Sequence, residues 1–224
     1  MKVLLVEDDA SLREGMAEII GELADVRAVG AEAEALATLA AERFDLVITD
    51  LRIGNHEQGG RSVLEAARRR QQAVAIVSAA APEEVARTLR PHEPDAVLVK
   101  PFQLDDIVGL GERFLALRKE VERLATARVL PPEAAWTELS AGVRVASTGP
   151  ESEAAPRWVR LAPGSGFAWR VHGQGREGVL LVEGGVEVQG ERHIAPCYLF
   201  IGAGPAPEVR TREGCLAVTL PLKG

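Results

Sequence analysis

The sequence predicts two domains of different class: a doubly wound α/β domain on a five-stranded parallel sheet, then a small all-β domain of barrel or jelly-roll type. Three observations carry this prediction. Short aliphatic runs alternate with amphipathic stretches throughout the first half of the chain. At Leu130, Pro131 and Pro132 two consecutive prolines end a helix, and the remainder of the chain is rich in Gly, Pro and Val, with no Asp after Asp106. The length, 224 residues, suits two domains of about 100 residues, each large enough for its own core.

In order, residues 2–6 form the first strand and 10–23 the first helix, with 26–29 and 32–43 as the second pair. Residues 45–49 lead through a Gly-rich loop to a helix over 61–70; then come 73–77 with 82–89, and 96–99 with a long helix from about Phe102. Strict alternation of strand and helix implies right-handed crossovers, hence a parallel sheet covered on both faces. The second half shows apolar runs at 158–161, 167–171, 179–182, 186–189, 198–201 and 216–220, separated by Gly-containing turns, the rhythm of a small antiparallel barrel. Residues 141–156 read as a linker or an extended lead-in to that barrel.

Composition narrows the function. Hydrophobic content of 46% with 26% charged residues describes an ordinary globular protein, not a disordered or fibrous one. Residues 1–128 carry 17 Lys or Arg against 23 Asp or Glu, and 129–224 carry 9 against 10, so neither half has the basic surplus that phosphate neutralisation requires; no DNA-binding domain is recognised. Residues 1–6 are too short for a signal-peptide core and run into Glu7, Asp8 and Asp9, and no stretch approaches a membrane span, so the expected compartment is the cytoplasm. Cys197 and Cys215 are expected as reduced core residues.

In a doubly wound sheet, reactive groups collect beyond the carboxyl ends of the central strands. Here strand one ends in Glu7, Asp8 and Asp9, strand three in Asp50, strand four in Ser78 and strand five in Lys100 followed by Pro101. Converging carboxylates repel one another, and a divalent cation with hard oxygen ligands, such as magnesium, relieves the repulsion. A hydroxyl and an ammonium beside them suit a phosphoryl group. These residues in this order resemble the receiver domain of two-component response regulators, whose fold is a known case of this doubly wound arrangement. The resemblance implies that Asp50 accepts a phosphoryl group from a sensor histidine kinase. It also implies that Asp8 binds magnesium directly and Glu7 through water, with Asp50 and the backbone carbonyl of Arg52 completing the set. Ser78 and Lys100 would each hold a phosphoryl oxygen. Two departures stand out: Val97 occupies the place of the usual switch aromatic, and the loop 53–60 carries His56 and three glycines, where His56 is either a modulator of dephosphorylation or a surface residue.

Beyond Phe102 the apolar residues Ile107, Leu110, Phe114, Leu117, Val121 and Leu124 recur at heptad spacing. Leu117, Val121 and Leu124 lie past the body of the first domain and need a further surface, either a second copy of the helix, giving a homodimer, or the chain's own second domain. Gly109 and Gly111 each cost about 1 kcal/mol of helix propensity.

The second half resembles a cupin over residues 155–222. Gly164, His172, Glu177 and Gly184 stand at the spacings of the first cupin motif, but Arg170 occupies its first histidine position; the surrounding residues, including Cys197, Tyr198 and Leu199, are most similar to the ChrR-type subgroup. With only His172 and Glu177 as matched ligands, and Arg170 placing a positive charge where a cation would sit and able to pair with Glu177, the barrel is expected to hold no metal. His193, shortly before Pro196, is expected in a turn. Trp158, Phe167 and Trp169 either line a small-molecule pocket or fill the core. The domains expected are therefore a receiver over 1–118, a helix extension and linker over 119–132, and a β-barrel output domain over 133–224. Together they predict an atypical response regulator that signals through dimerisation, ligand binding or protein contact and has no metabolic activity. The alternatives are a phosphorylation-gated metalloenzyme and a transcriptional regulator acting on a sigma factor.

Overall fold

The computed structural model describes residues 1–54, 58–148, 154–172 and 175–223. The chain divides into two compact units, Met1–Leu115 with Gly202–Gly204, and Ala116–Ile201 with Pro205–Gly224. Among the described residues no helix is long and apolar enough to cross a membrane.

The first unit alternates β1 (Lys2–Val6), α1 (Ala10–Gly21), β2 (Asp25–Val29), α2 (Glu32–Ala41), β3 (Leu46–Asp50), α3 (Gly59–Arg69), β4 (Ala73–Ser78), α4 (Pro82–Leu89), β5 (Ala96–Val99) and the start of α5 (Leu104–Ala127). The strands form one parallel sheet in the order β2-β1-β3-β4-β5, as the alternation predicts. Central strands β3 and β4 are apolar on both faces, because helices cover both, and their aliphatic residues are buried throughout. Local chemistry sets the helix starts. Asp9 caps α1 by accepting the Leu12 amide at 2.8 Å, and α4 begins on Pro82 followed by Glu83 and Glu84. Behind the sheet, Asp95 receives both guanidinium nitrogens of Arg68 at 2.7 and 2.8 Å and the Val74 amide at 2.8 Å, which fixes α3 and the approach to β5 against β4.

The second unit is antiparallel, a nearly closed barrel. A 3₁₀ turn over Glu133–Ala135 leads into β6 (Thr137–Ser140), β7 (Val143–Ser147), β8 (Arg157–Leu161), β9 (Gly166–Ala168), β10 (Glu177–Val188), β11 (Glu191–Ile194), β12 (Cys197–Ile201), β13 (Glu208–Arg210) and β14 (Cys215–Pro221). The sheet runs β6-β7-β8-β14-β10-β13-β9, with β11 and β12 also pairing with β10. Several expected boundaries shift. The stretch read as a linker contains β7, and the runs expected at 179–182 and 186–189 are one continuous strand. β10 contains three glycines, Gly178, Gly184 and Gly185, and its pairing with β14 shifts register between Leu181 and Glu183. Gly184 sits at φ +70°, and an added Cβ there would lie 2.0 Å from the Gly214 carbonyl oxygen, so only glycine lets the strands approach. His193 is on strand β11, buried and opposite Val186, not in a turn. Trp158, Phe167 and Trp169 are buried, and Phe167 and Trp169 belong to the apolar core, which decides for filling over lining.

Helix α5 is continuous through Gly109 and Gly111. Its later turns belong to the second unit, where Leu117 is 5% exposed, Val121 fully buried and Leu124 half-buried. Gly178 on β10 makes room: a Cβ there would stand 3.1 Å from the Leu117 Cγ and 2.8 Å from the Tyr198 hydroxyl. The Arg118 guanidinium lies 4.5 Å from the centroid of the Tyr198 ring. Leu117 and Val121 are therefore covered within the second unit.

Candidate phosphoryl-acceptor site

The parallel register brings the strand ends together. β1 pairs with β3, β3 with β4 and β4 with β5, so Glu7, Asp50, Ser78 and Lys100 emerge at one edge of the sheet. Carboxylate oxygens of Glu7, Asp8 and Asp50 all lie within 4.8 Å of one another, a grouping with the hard-oxygen character a magnesium ion takes. Lys100 spans two of them, its Nζ donating to Asp50 Oδ2 at 2.6 Å and to Glu7 Oε2 at 2.9 Å. The Lys100 amide in turn donates to the Ser78 carbonyl at 2.8 Å, fixing both residues by main chain. The Ser78 hydroxyl accepts the Ala80 amide at 3.0 Å. Arg52 donates its amide to Asp50 Oδ1 at 3.1 Å, and Gly54 donates its amide to Asp8 Oδ2 at 3.0 Å. The loop after β3 thus already wraps the two carboxylates.

Burial raises the Glu7 pKa, and the nearby Asp50 charge adds to this, against the hydrogen bond and charge of Lys100. Burial opposes the Lys100 charge, yet hydrogen bonds and charges from Asp50 and Glu7 together outweigh it and raise its pKa above 10.5. The ammonium is therefore a firm cation beside Asp50, able to neutralise charge that develops on a transferred phosphoryl group.

Two contributors are not legible from strand ends alone. Arg13 on α1 donates through Nη1 to the carbonyls of Glu7 at 2.8 Å and Asp8 at 3.2 Å, clamping the acidic turn; its only sequence signal is a cation one to two helical turns after the acidic run. Gly60 at the start of α3 presses on the back of the site. A Cβ there would fall 2.2 Å from the Asp50 carbonyl oxygen, which explains one glycine of the Gly-rich loop. Val97 is partly buried against the sheet core. His56 lies outside the described residues.

In the barrel, His172 and Glu177 do come together, with His172 Nε2 3.6 Å from Glu177 Oε2. Trp169 Nε1 donates to Glu177 Oε1 at 3.1 Å, and the Thr219 hydroxyl donates to Oε2. Burial pushes the Glu177 pKa up to about 7, against the hydrogen bonds of Thr219 and Trp169. Arg170 is exposed, whereas Glu177 is fully buried, with hydrogen-bond donors from Trp169 and Thr219 at its carboxyl. The reason is local. Burial alternates from Gly166 through Val171, which leaves Arg170 exposed like Ala168, and the alternation breaks at His172, which is buried. Among the described residues, the grouping of three potential metal ligands is Glu7, Asp8 and Asp50.

Residues 3–110 match the response regulator receiver domain family, and this part of the chain is a receiver domain. Among curated proteins, the transcriptional regulatory protein PdtaR of Mycobacterium tuberculosis is 30% identical over 131 residues, covering 55% of this chain and 60% of that protein. The chain thus spans about three-fifths of the length of that relative. Among solved structures, the receiver domain of the Francisella response regulator 1452 is 23% identical over 51% of this chain and 96% of that one, with a TM-score of 0.46. A CheY-like receiver domain protein from Methanospirillum hungatei is 21% identical over 53% and 96%, with a TM-score of 0.48.

Proposed function

We propose that the chain is a response regulator in which Asp50 accepts a phosphoryl group from a sensor histidine kinase, and in which the second unit, read as a degenerate cupin, carries the output. The observation that supports this best is the Lys100 ammonium held jointly by Asp50 and Glu7 within the acidic trio. In the reaction, a carboxylate oxygen of Asp50 attacks phosphorus, the bond from phosphorus to the donor histidine nitrogen breaks, and that nitrogen keeps the electron pair. Lys100 and the Ser78 hydroxyl hold phosphoryl oxygens. Arg13 and the amides of Arg52 and Gly54 keep the carboxylates aimed. A magnesium ion held by Asp8, Asp50 and the Arg52 carbonyl, with Glu7 behind water, would supply charge neutralisation for the transfer. The protein acts as a signalling component, and a regulatory role is also what the curated relative's name states for that protein.

The test is phosphorylation of the full chain by acetyl phosphate with magnesium, read as a mobility shift on a phosphate-affinity gel. Asp50→Asn should abolish the shifted species. An undiminished shift in that variant would overturn the assignment.

A further inference from the structure

The second unit carries a crevice of about 590 Å³, lined in part by charged side chains, whose lining shares no residue with the Glu177 cluster. Arg192 on β11, Arg210 at the end of β13 and Arg212 in the following turn line it, with Glu187 and Glu213 between them. Three cations against two carboxylates leave one positive charge uncompensated. Arg192 Nη2 meets Glu213 Oε1 at 3.1 Å, whereas Arg212 Nη2 stands 3.9 Å from Glu187 Oε2. Arg210, whose cross-strand neighbour on β10 is Glu187, makes no ion pair with a carboxylate among the described residues.

The platform under these arginines is fixed. Thr211, between Arg210 and Arg212, is buried, and its hydroxyl donates to the Gly185 carbonyl at 2.6 Å while accepting the Gly214 amide at 3.0 Å. Its own amide donates to the Ser165 carbonyl at 3.0 Å and its carbonyl accepts the Gly164 amide at 3.0 Å. With Thr211 turned inward, Arg210 and Arg212 are exposed on the other side of the same short segment. The backbone that carries these cations is already ordered before an anion binds, and guanidinium groups suit carboxylate and phosphate geometry.

We propose that this crevice binds a small molecule through one anionic group, a carboxylate or a phosphate monoester, seated on Arg210 with Arg212 and Arg192 beside it. The two glutamates set its selectivity. They repel an extended polyanion such as nucleic acid, and they accept hydrogen bonds from a hydroxyl or amine elsewhere on the ligand. Occupancy needs no phosphorylation at Asp50, so the site adds a chemical input to the second unit independent of the receiver.

The experiment uses the full chain in EDTA, so that magnesium-dependent chemistry at Asp50 is silent, with sodium phosphate and sodium acetate as separate probes at constant ionic strength. All three tryptophans, Trp136, Trp158 and Trp169, lie in the second unit, so the fluorescence-detected melt reports on that unit alone. At least one probe should raise the melting temperature saturably, and the relative response to the two distinguishes phosphate from carboxylate chemistry. Arg210→Gln should weaken the response at least tenfold while melting like the parent chain in the absence of anion. If that variant does not fold, the double variant Arg192→Gln, Arg212→Gln decides by the same criterion. A response that does not saturate, that sodium chloride reproduces, or that survives loss of these arginines overturns the proposal.

Discussion

Glu7 and Glu177 are both buried carboxyls raised by desolvation, and the group beside each separates their chemistry. Glu7 faces Lys100, so its charge is needed and partnered. Glu177 faces an indole N–H, a hydroxyl and an imidazole, an arrangement that a neutral carboxyl satisfies. A carboxyl raised from 4.5 to about 7 on folding binds more protons in the folded state than in the unfolded one. Its stabilisation is therefore complete below the unfolded pKa and is lost as pH rises to about 7. We expect tryptophan-detected urea melts to show the second unit losing stability between about pH 5 and pH 8, by about 3 kcal/mol at most. In Glu177→Gln that loss should largely vanish. A parent chain equally stable at both pH values would show that Glu177 is not the titrating group. The arginine between Trp169 and Val171 shows why this centre was only half legible. Motif spacing groups Arg170, His172 and Glu177, whereas the structure brings His172 within 3.6 Å of Glu177 and leaves Arg170 exposed, in step with the alternation that runs to Val171.

Helix α5 poses a similar problem one level up. Heptad spacing announces a stripe that must be covered and is silent on what covers it, because an apolar side chain packs as well on a sheet as on a second helix. The discriminating residue was Gly178, without a side chain at the head of the aliphatic run Val179–Val182, which marks close approach by another element. Leu117→Ala should cost about 2–5 kcal/mol by opening a cavity, and Gly178→Val about 1–3 kcal/mol or more by overpacking against Leu117 and Tyr198. Both losses should register in the tryptophan-detected transition and leave Asp50 phosphorylation intact. If neither variant shifts that transition, the helix contact contributes nothing to the fold of the second unit. The parallel sheet, by contrast, was legible nearly strand for strand, since fully buried strands between helices need unbroken aliphatic runs. The short strands β11 and β13 were not, because runs such as Glu191–Ile194, half charged, carry no apolar signal.

At the scale of the whole molecule, the chain joins one unit whose chemistry is written in strand-end residues to another whose architecture depends on glycines. The residues of the acidic pocket and its lysine come from the ends of different strands, and their order along the chain is what makes the resemblance to the family recognisable. Strand β10 holds the corresponding place in the second unit. Its first half is hydrogen-bonded on one side to β12 and on the other to β14, and its second half to β11, β13 and the end of β14. Amide protons of residues 179–181, flanked on both sides, should be among the last in this unit to exchange with deuterated solvent, at rates set by global opening. Fast exchange there, with slow exchange in β8, would mean that the unit opens from its centre. A strand shared by so many neighbours also ties their fates together: strain introduced at any of them reaches the others through one backbone, so the second unit should respond to a bound molecule as a single elastic body and not loop by loop.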